Sequence, residues 1–293
     1  MKGRIAMERI SLEGVVDMHF HTAPDLRPRR YDDLALCDAA AGAGARAVVL
    51  KSHLGDTAAR AFLANRYCRE KHPGSPFQAI GSITLNRCVG GINPEAVENA
   101  LNLGAKVVWL PTVSARNHME KLGKFPANCV EAVRDGRPVE ALVAVMELIR
   151  QKNAVLATGH LSGQEIYAVV KAAREMGLEK IVITHPEWWM IGLPPEAQRE
   201  LAHKYGAVLE RCFAQNKGVG AGHGYISNLP GNLEAILKIG YQHILISTDG
   251  GQAENPAWED AERAYLQYLL DHGIPLAQIQ FMSRDLPCRL LDL

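Results

Sequence analysis

Short apolar, β-branched runs alternate along this chain with longer stretches whose apolar residues recur every three to four positions. The runs predict strands over Val15–His21, Ala45–His53, Phe77–Leu85, Lys106–Val113, Ala154–His160, Lys180–His185, Ala207–Phe213 and His243–Asp249. Helical spacing predicts helices over Tyr31–Ala43, Thr57–Glu70, Pro94–Leu103, Pro138–Lys152, Gly163–Met176, Pro195–Tyr205, Leu229–Ile239 and Ala257–Asp271. Three junctions, Ala43-Gly44-Ala45, Leu103-Gly104-Ala105 and Tyr205-Gly206-Ala207, place glycine where a helix stops before a strand. The strands are apolar throughout rather than alternating, as in parallel strands covered on both faces. Eight such units predict an α/β protein with a (β/α)8 TIM barrel, and an open doubly wound sheet is the alternative. No linker composition divides the chain. It reads as a single domain over 1–293 with a C-terminal helical tail at about 275–293.

Polar residues gather at the C-terminal ends of the predicted strands, where a barrel of this kind keeps its chemistry. His19 and His21 lie one residue apart, so they share a face of one strand. Lys51 and His53 end the second strand, Asn86 and Arg87 follow the third, and the fifth ends in Thr158-Gly159-His160. The sixth ends in Thr184-His185-Pro186, the seventh carries Glu210-Arg211, and the eighth ends in Ser247-Thr248-Asp249-Gly250. A single histidine at a strand end is usually a hydrogen-bonded core residue. Histidines after strands one, five and six with an aspartate after strand eight point instead to a metal site of His19, His21, His160, His185 and Asp249.

Composition narrows the function. Formal net charge is +0, with no long run of one sign. A nucleic-acid or membrane partner is not expected, and a small-molecule substrate fits better. The segment Met1–Leu12 is interrupted by Lys2, Arg4, Glu8 and Arg9, so no signal peptide is expected there. The 6 cysteines are scattered, without a CxxC pair, and predict a reducing, cytoplasmic setting. A homo-oligomer remains open.

These motifs resemble the amidohydrolase superfamily over nearly the whole chain: HxH at His19 and His21, then His160, His185 and Asp249 at the later strand ends. Within it, the chain resembles a branch described only as a domain of unknown function. Its marks are Asp25-Leu26-Arg27-Pro28-Arg29-Arg30, Leu50-Lys51-Ser52-His53, and Leu85-Asn86-Arg87 with Gly90-Gly91-Ile92-Asn93-Pro94. The resemblance implies a distorted barrel, one or two divalent metals, usually zinc, and hydrolysis of an amide, cyclic amide or ester. One departure stands out. Two-metal members often bridge the ions with a carboxylated lysine or a glutamate on strand four, and Lys106–Thr112 has no such group at its C-terminal end. Lys51, if carboxylated, is the replacement; otherwise it is a cation for a substrate carboxylate or an ion-pair partner.

Asp249 is the expected general acid/base, with His185 binding the second ion, or polarising the carbonyl if only one metal is present. Arg87, His53, Trp188 and Glu210 are candidate substrate contacts. One or more of Arg27, Arg29, Arg30 and Arg87 is a candidate for an anionic substrate group, since guanidinium matches carboxylate. Ser114–Arg137 and Gly218–Gly224 are candidate lids, and His118 and His223 lie in loops expected near substrate. The competing activity is a metal-dependent decarboxylase or hydratase on a similar mononuclear site. A non-catalytic, metal- or metabolite-binding barrel is the remaining reading.

Overall fold

The computed structural model describes residues 9–124, 128–216 and 225–293. Nine parallel strand segments carry the fold: β1 (Val16–His21), β2 (Ala47–Lys51), β3 (Gln78–Ile80), β4 (Ser82–Thr84), β5 (Val107–Trp109), β6 (Val155–Ala157), β7 (Ile181–Ile183), β8 (Val208–Cys212) and β9 (Ile244–Ser247). They pair as two sheets, β1-β2-β3 and β4-β5-β6-β7-β8-β9, each in chain order. β3 and β4 lie within the predicted strand Phe77–Leu85, interrupted at Gly81.

The other two edges also meet. Phe20 forms a parallel bridge with Gly250, and the amide of His21 donates to the Gly250 carbonyl at 3.1 Å. Asp17 accepts from the backbone amide of Thr248 at 3.2 Å. Glycine is required at this seam. Gly251 has φ +95°, and a Cβ there would fall 1.8 Å from the His21 carbonyl oxygen.

Helices α1 (Asp33–Gly42), α2 (Ala58–Lys71), α3 (Pro94–Asn102), α4 (Arg116–Lys121), α5 (Glu140–Gln151), α6 (Gly163–Glu175), α7 (Pro195–Tyr205), α8 (Leu229–Ile239) and α9 (Trp258–Asp271) lie between and after the strands. Their starts follow local chemistry. Asp32 caps α1 by accepting from the Ala35 amide, and Asn93 caps α3 just ahead of Pro94. Ser162 and Glu165 close a reciprocal capping box at α6, two residues beyond His160. The tail folds as the helices Leu276–Gln280 and Leu286–Leu291 with one wide turn between them. The predicted loop Ser114–Arg137 contains α4 and the first strand of a short hairpin over 133–138, and residues 125–127 of it lie outside the described residues. Gly218–Gly224 and His223 also lie outside them.

Two apolar clusters form. The larger joins strands to helices through side chains such as Leu36, Val97, Leu142, Val169 and Leu201. The smaller collects the opposite strand faces: Val16, Met18, Ala47, Val49, Ile80, Val107, Trp109, Val155, Ala157, Val182, Val208 and Leu245, with Leu286, Leu290 and Leu291 from the tail. Full burial of each large aliphatic side chain contributes roughly 1.5–3 kcal/mol. That cost of exposure explains why both strand faces read as apolar. Among the described residues no helix is long and apolar enough to cross a membrane.

Candidate metal centre

β1 builds the first part of the site. Its pairing register with β2 shifts between Asp17 and Phe20, a β-bulge that re-aims the residues beyond it. Met18 stays in the inner cluster, Phe20 turns to the outer one, and His19 and His21 are both buried at the strand end. Asp249 arrives from the loop after β9. Ligand atoms of His19, His21 and Asp249 all lie within 4.8 Å of one another. Asp249 Oδ1 is 3.1 Å from His19 Nε2 and 3.3 Å from His21 Nε2.

What stands behind the imidazoles decides which nitrogen they offer. His19 Nδ1 lies 3.0 Å from Glu210 Oε2. His21 Nδ1 lies 3.2 Å from Asp25 Oδ2. Each Nδ1 proton is therefore donated to a carboxylate, which leaves both Nε2 lone pairs facing the acceptor-only Asp249 Oδ1. Three electron-rich atoms converge, an arrangement that favours positive charge among them. Lys51 supplies it: its Nζ sits 2.8 Å from His19 Nε2 and 4.0 Å from the Trp109 ring centroid. The residues fit a divalent ion, with His19 Nε2, His21 Nε2 and Asp249 as the first ligands.

His160 and His185 form an adjoining pair, with ring centroids 5.2 Å apart and His185 5.9 Å from His19. Gly159, just before His160, has φ +59°, and a Cβ there would meet the Leu110 carbonyl oxygen at 2.3 Å. His160 Nδ1 is 2.8 Å from His118 Nδ1. Asn117 donates to the carbonyls of His160 at 3.1 Å and Met190 at 2.8 Å. The Nδ1 of His185 is buried without a hydrogen-bond partner among the described residues. His185 and Asp249 both adopt positive φ, 26° and 48°, a strained backbone that surrounding structure must hold in place.

Electrostatics keep most of these rings neutral. Burial lowers the pKa of His21 to about 4, with the Arg29 charge adding to it. Burial likewise lowers His185 to about 3 and pushes His160 and His53 well below the ordinary value. His19 is the exception. Burial and Lys51 oppose its protonation, but Asp249 and Glu210 outweigh them and raise its pKa. Burial also lowers Lys51, while burial's opposing push on Asp249 is overcome by His19 and His21, holding that carboxylate well below its usual range. Neutral His21, His160 and His185 beside an ionised Asp249 are in the protonation states a metal requires, whereas His19 must shed any Nε2 proton to join them.

The remaining candidates scatter. Trp188 packs on both rings of the second pair, 5.2 Å from His160 and 4.9 Å from His185. His53 lies 4.6 Å from the His21 ring, with Nδ1 3.0 Å from Thr112 Oγ1. Glu210, expected at the substrate, is instead fully buried and engaged with His19, because its face of β8 points at β1. Arg87, also expected there, is exposed and lines a separate cavity of about 620 Å³ with Cys129, Glu131 and Arg134. Sequence reasoning missed Asp25 and Asn117 as supports and placed His118 only near substrate. It also missed Cys212, whose thiol lies within reach of His19 and Glu210. Only Cys212 left a signal: it shares a strand face with Glu210 two residues earlier.

Residues 14–210 match the model of a family described as "Family of unknown function (DUF6282)". No curated protein matches the sequence. Solved structures do resemble the fold. An amidohydrolase from Pseudomonas aeruginosa aligns at TM-score 0.64 and 11% identity, over 95% of each chain. A putative 2-pyrone-4,6-dicarboxylic acid hydrolase from Pseudomonas putida aligns at 0.59 and 17%, over 97% of this chain and 98% of that one. A 2,6-dihydroxybenzoate decarboxylase aligns at 0.55 and 14%, over 97% and 99%. The chain has the fold of the amidohydrolase superfamily and belongs to the DUF6282 family.

Proposed function

We propose that this protein is a metal-dependent hydrolase of a small-molecule amide, cyclic amide or ester. The observation that carries this reading is the convergence of His19 Nε2, His21 Nε2 and Asp249 within 4.8 Å, each imidazole backed by its own carboxylate. His160 and His185 supply further ligands beside them. The eight predicted strands read as one (β/α)8 barrel, supported by the Phe20–Gly250 bridge and by an inner apolar cluster drawn from both sheets.

A divalent ion bound there, zinc in preference to others, supplies a Lewis acid and a water whose pKa falls to about 7. The chain's own residues do the rest. His19 and His21 present fixed Nε2 lone pairs, because Glu210 and Asp25 hold their Nδ1 protons. Asp249 keeps Oδ1 against both imidazoles; its other oxygen takes the proton of the attacking water as that water's oxygen bonds the scissile carbonyl carbon, and returns it to the leaving nitrogen or oxygen as the bond from that carbon breaks. Such transfer contributes about 10²–10⁴-fold. Trp188 closes one wall with apolar surface. The free cysteines fit a reducing compartment.

Metal analysis of the purified protein, followed by a screen of amides, lactams, lactones and esters, tests this. The expected result is bound divalent metal and hydrolysis that Asp249→Asn reduces by about 10²–10⁴-fold. Wild-type protein without metal, or an Asp249→Asn variant with full activity, overturns it. A decarboxylase or hydratase is the second reading, favoured by the decarboxylase among the structural neighbours. Release of carbon dioxide, or reversible addition of water, without cleavage of an amide or ester would select it.

A further inference from the structure

Arg29 carries a buried hydrogen-bonding nitrogen that none of the described residues satisfies. Its side chain is 1% exposed. Nε donates to Asp25 Oδ2 at 3.0 Å, and Nη2 donates to the same oxygen. Nη1 is buried and has no partner among the described residues. Buried polar groups are nearly always paired, and an unpaired buried guanidinium nitrogen is costly. Nη1 is therefore a donor available to one more acceptor.

The surroundings make this a built site. Asp25 also accepts from the His53 amide at 2.7 Å and lies against Ser52 Oγ and His21 Nδ1, so the fork that holds Arg29 cannot swing. The loop carrying Arg29 is docked on the loop that follows Asp249. Arg29 bridges Gln252, the Arg30 amide donates to the Gly251 carbonyl at 2.8 Å, and the Arg30 side chain donates to the Asn255 carbonyl at 3.0 Å. Asp25 Oδ2 is shared between Arg29 Nε and His21 Nδ1, which sets the guanidinium directly behind one of the converging imidazoles. Arg29 thus stands beside the metal ligands, away from bulk water, where a charge-assisted hydrogen bond is strong. Arg87 and Arg27 differ: the first is exposed and lines a separate cavity, and the second pairs with Glu254.

We propose that Nη1 of Arg29 binds a carboxylate of the substrate, so that the compounds turned over are carboxylate-bearing amides, lactams or lactones. Where the scissile bond sits rests on the hydrolase reading. The anion site itself does not.

Calorimetric titration of formate, acetate, succinate and glutarate, and of the methyl esters of the last two, tests the proposal. It is run on wild type, Arg29→Met and Arg29→Lys, with metal content measured on each. At least one acid should bind wild type and lose about 10- to 100-fold in affinity in Arg29→Met, while the neutral esters bind both proteins alike. Arg29→Lys can keep a donor on Asp25 but lacks the spare nitrogen, so it should also lose affinity; it carries the test if the methionine variant does not fold. Equal acid affinity in wild type and variants overturns the proposal, as does failure of all four acids to bind wild type. Arg29-dependent acid binding in a protein that holds no metal would sink the hydrolase reading and leave the anion site standing.

Discussion

The two halves of the imidazole ring are held differently. Where β1 meets the loop after β9, His19 and His21 each turn Nδ1 to a buried carboxylate, Glu210 or Asp25. Across the centre, His160 leans on a second imidazole, His118, and His185 Nδ1 has no partner among the described residues. A carboxylate behind an imidazole fixes its tautomer and raises its basicity. A neutral ring fixes orientation with less gain in basicity, and an absent partner does neither. Five residues of ligand type therefore do not make five equal ligands. We propose that the first half keeps the cation and that the second adjusts around it.

The largest expected effect comes from exchanging one ligand in each half. His19→Ala should remove essentially all bound metal, as read by elemental analysis of the purified protein. His160→Ala should leave the ion of the first half in place while activity falls by more than about 10²-fold, the scale of removing a catalytic contact. Loss of all metal from His160→Ala would merge the halves into a single-ion site of His19, His21, His160 and Asp249.

A smaller effect is expected behind the first half. Glu210→Gln keeps the shape but offers His19 Nδ1 a neutral acceptor. Metal affinity, measured by chelator competition, should drop by about 10–100-fold, the usual scale for outer-shell partners. Unchanged affinity would show that the carboxylate is structural only. His118→Phe should have the smallest effect, weakening metal binding by no more than about 10-fold. His118→Gln, which restores an acceptor for His160 Nδ1, should recover part of that. A phenylalanine variant weaker than Glu210→Gln would reverse the ranking of the two halves.

How much of this was legible follows from what each feature depends on. His19 and His21 announce themselves because strand alternation is local and an HxH after an apolar run has few other uses. Asp249, His160 and His185 needed the strand register, which the apolar runs supply. The supports were not legible. Asp25 reaches His21 through a loop turn, Glu210 meets His19 across 191 positions of sequence, and α4 brings His118 to His160 across 42. Such partners depend on tertiary packing, which carries no short-range pattern. The bulge between Asp17 and Phe20 was hidden for a related reason: its register is set by pairing with β2, and Val16–His21 reads as an unbroken run. Arg87 shows the converse case, a residue whose surroundings the strand pattern did not reveal. Its position just beyond a strand end is right for a substrate contact, yet the short turn Arg87–Val89 carries it to the surface.

Anomalous scattering from crystals grown with zinc tests the central claim most directly. The account predicts a peak within bonding distance of His19 Nε2, His21 Nε2 and Asp249, with Lys51 Nζ displaced from His19. Zinc found only elsewhere, with Lys51 still seated against His19 in an active enzyme, would contradict it.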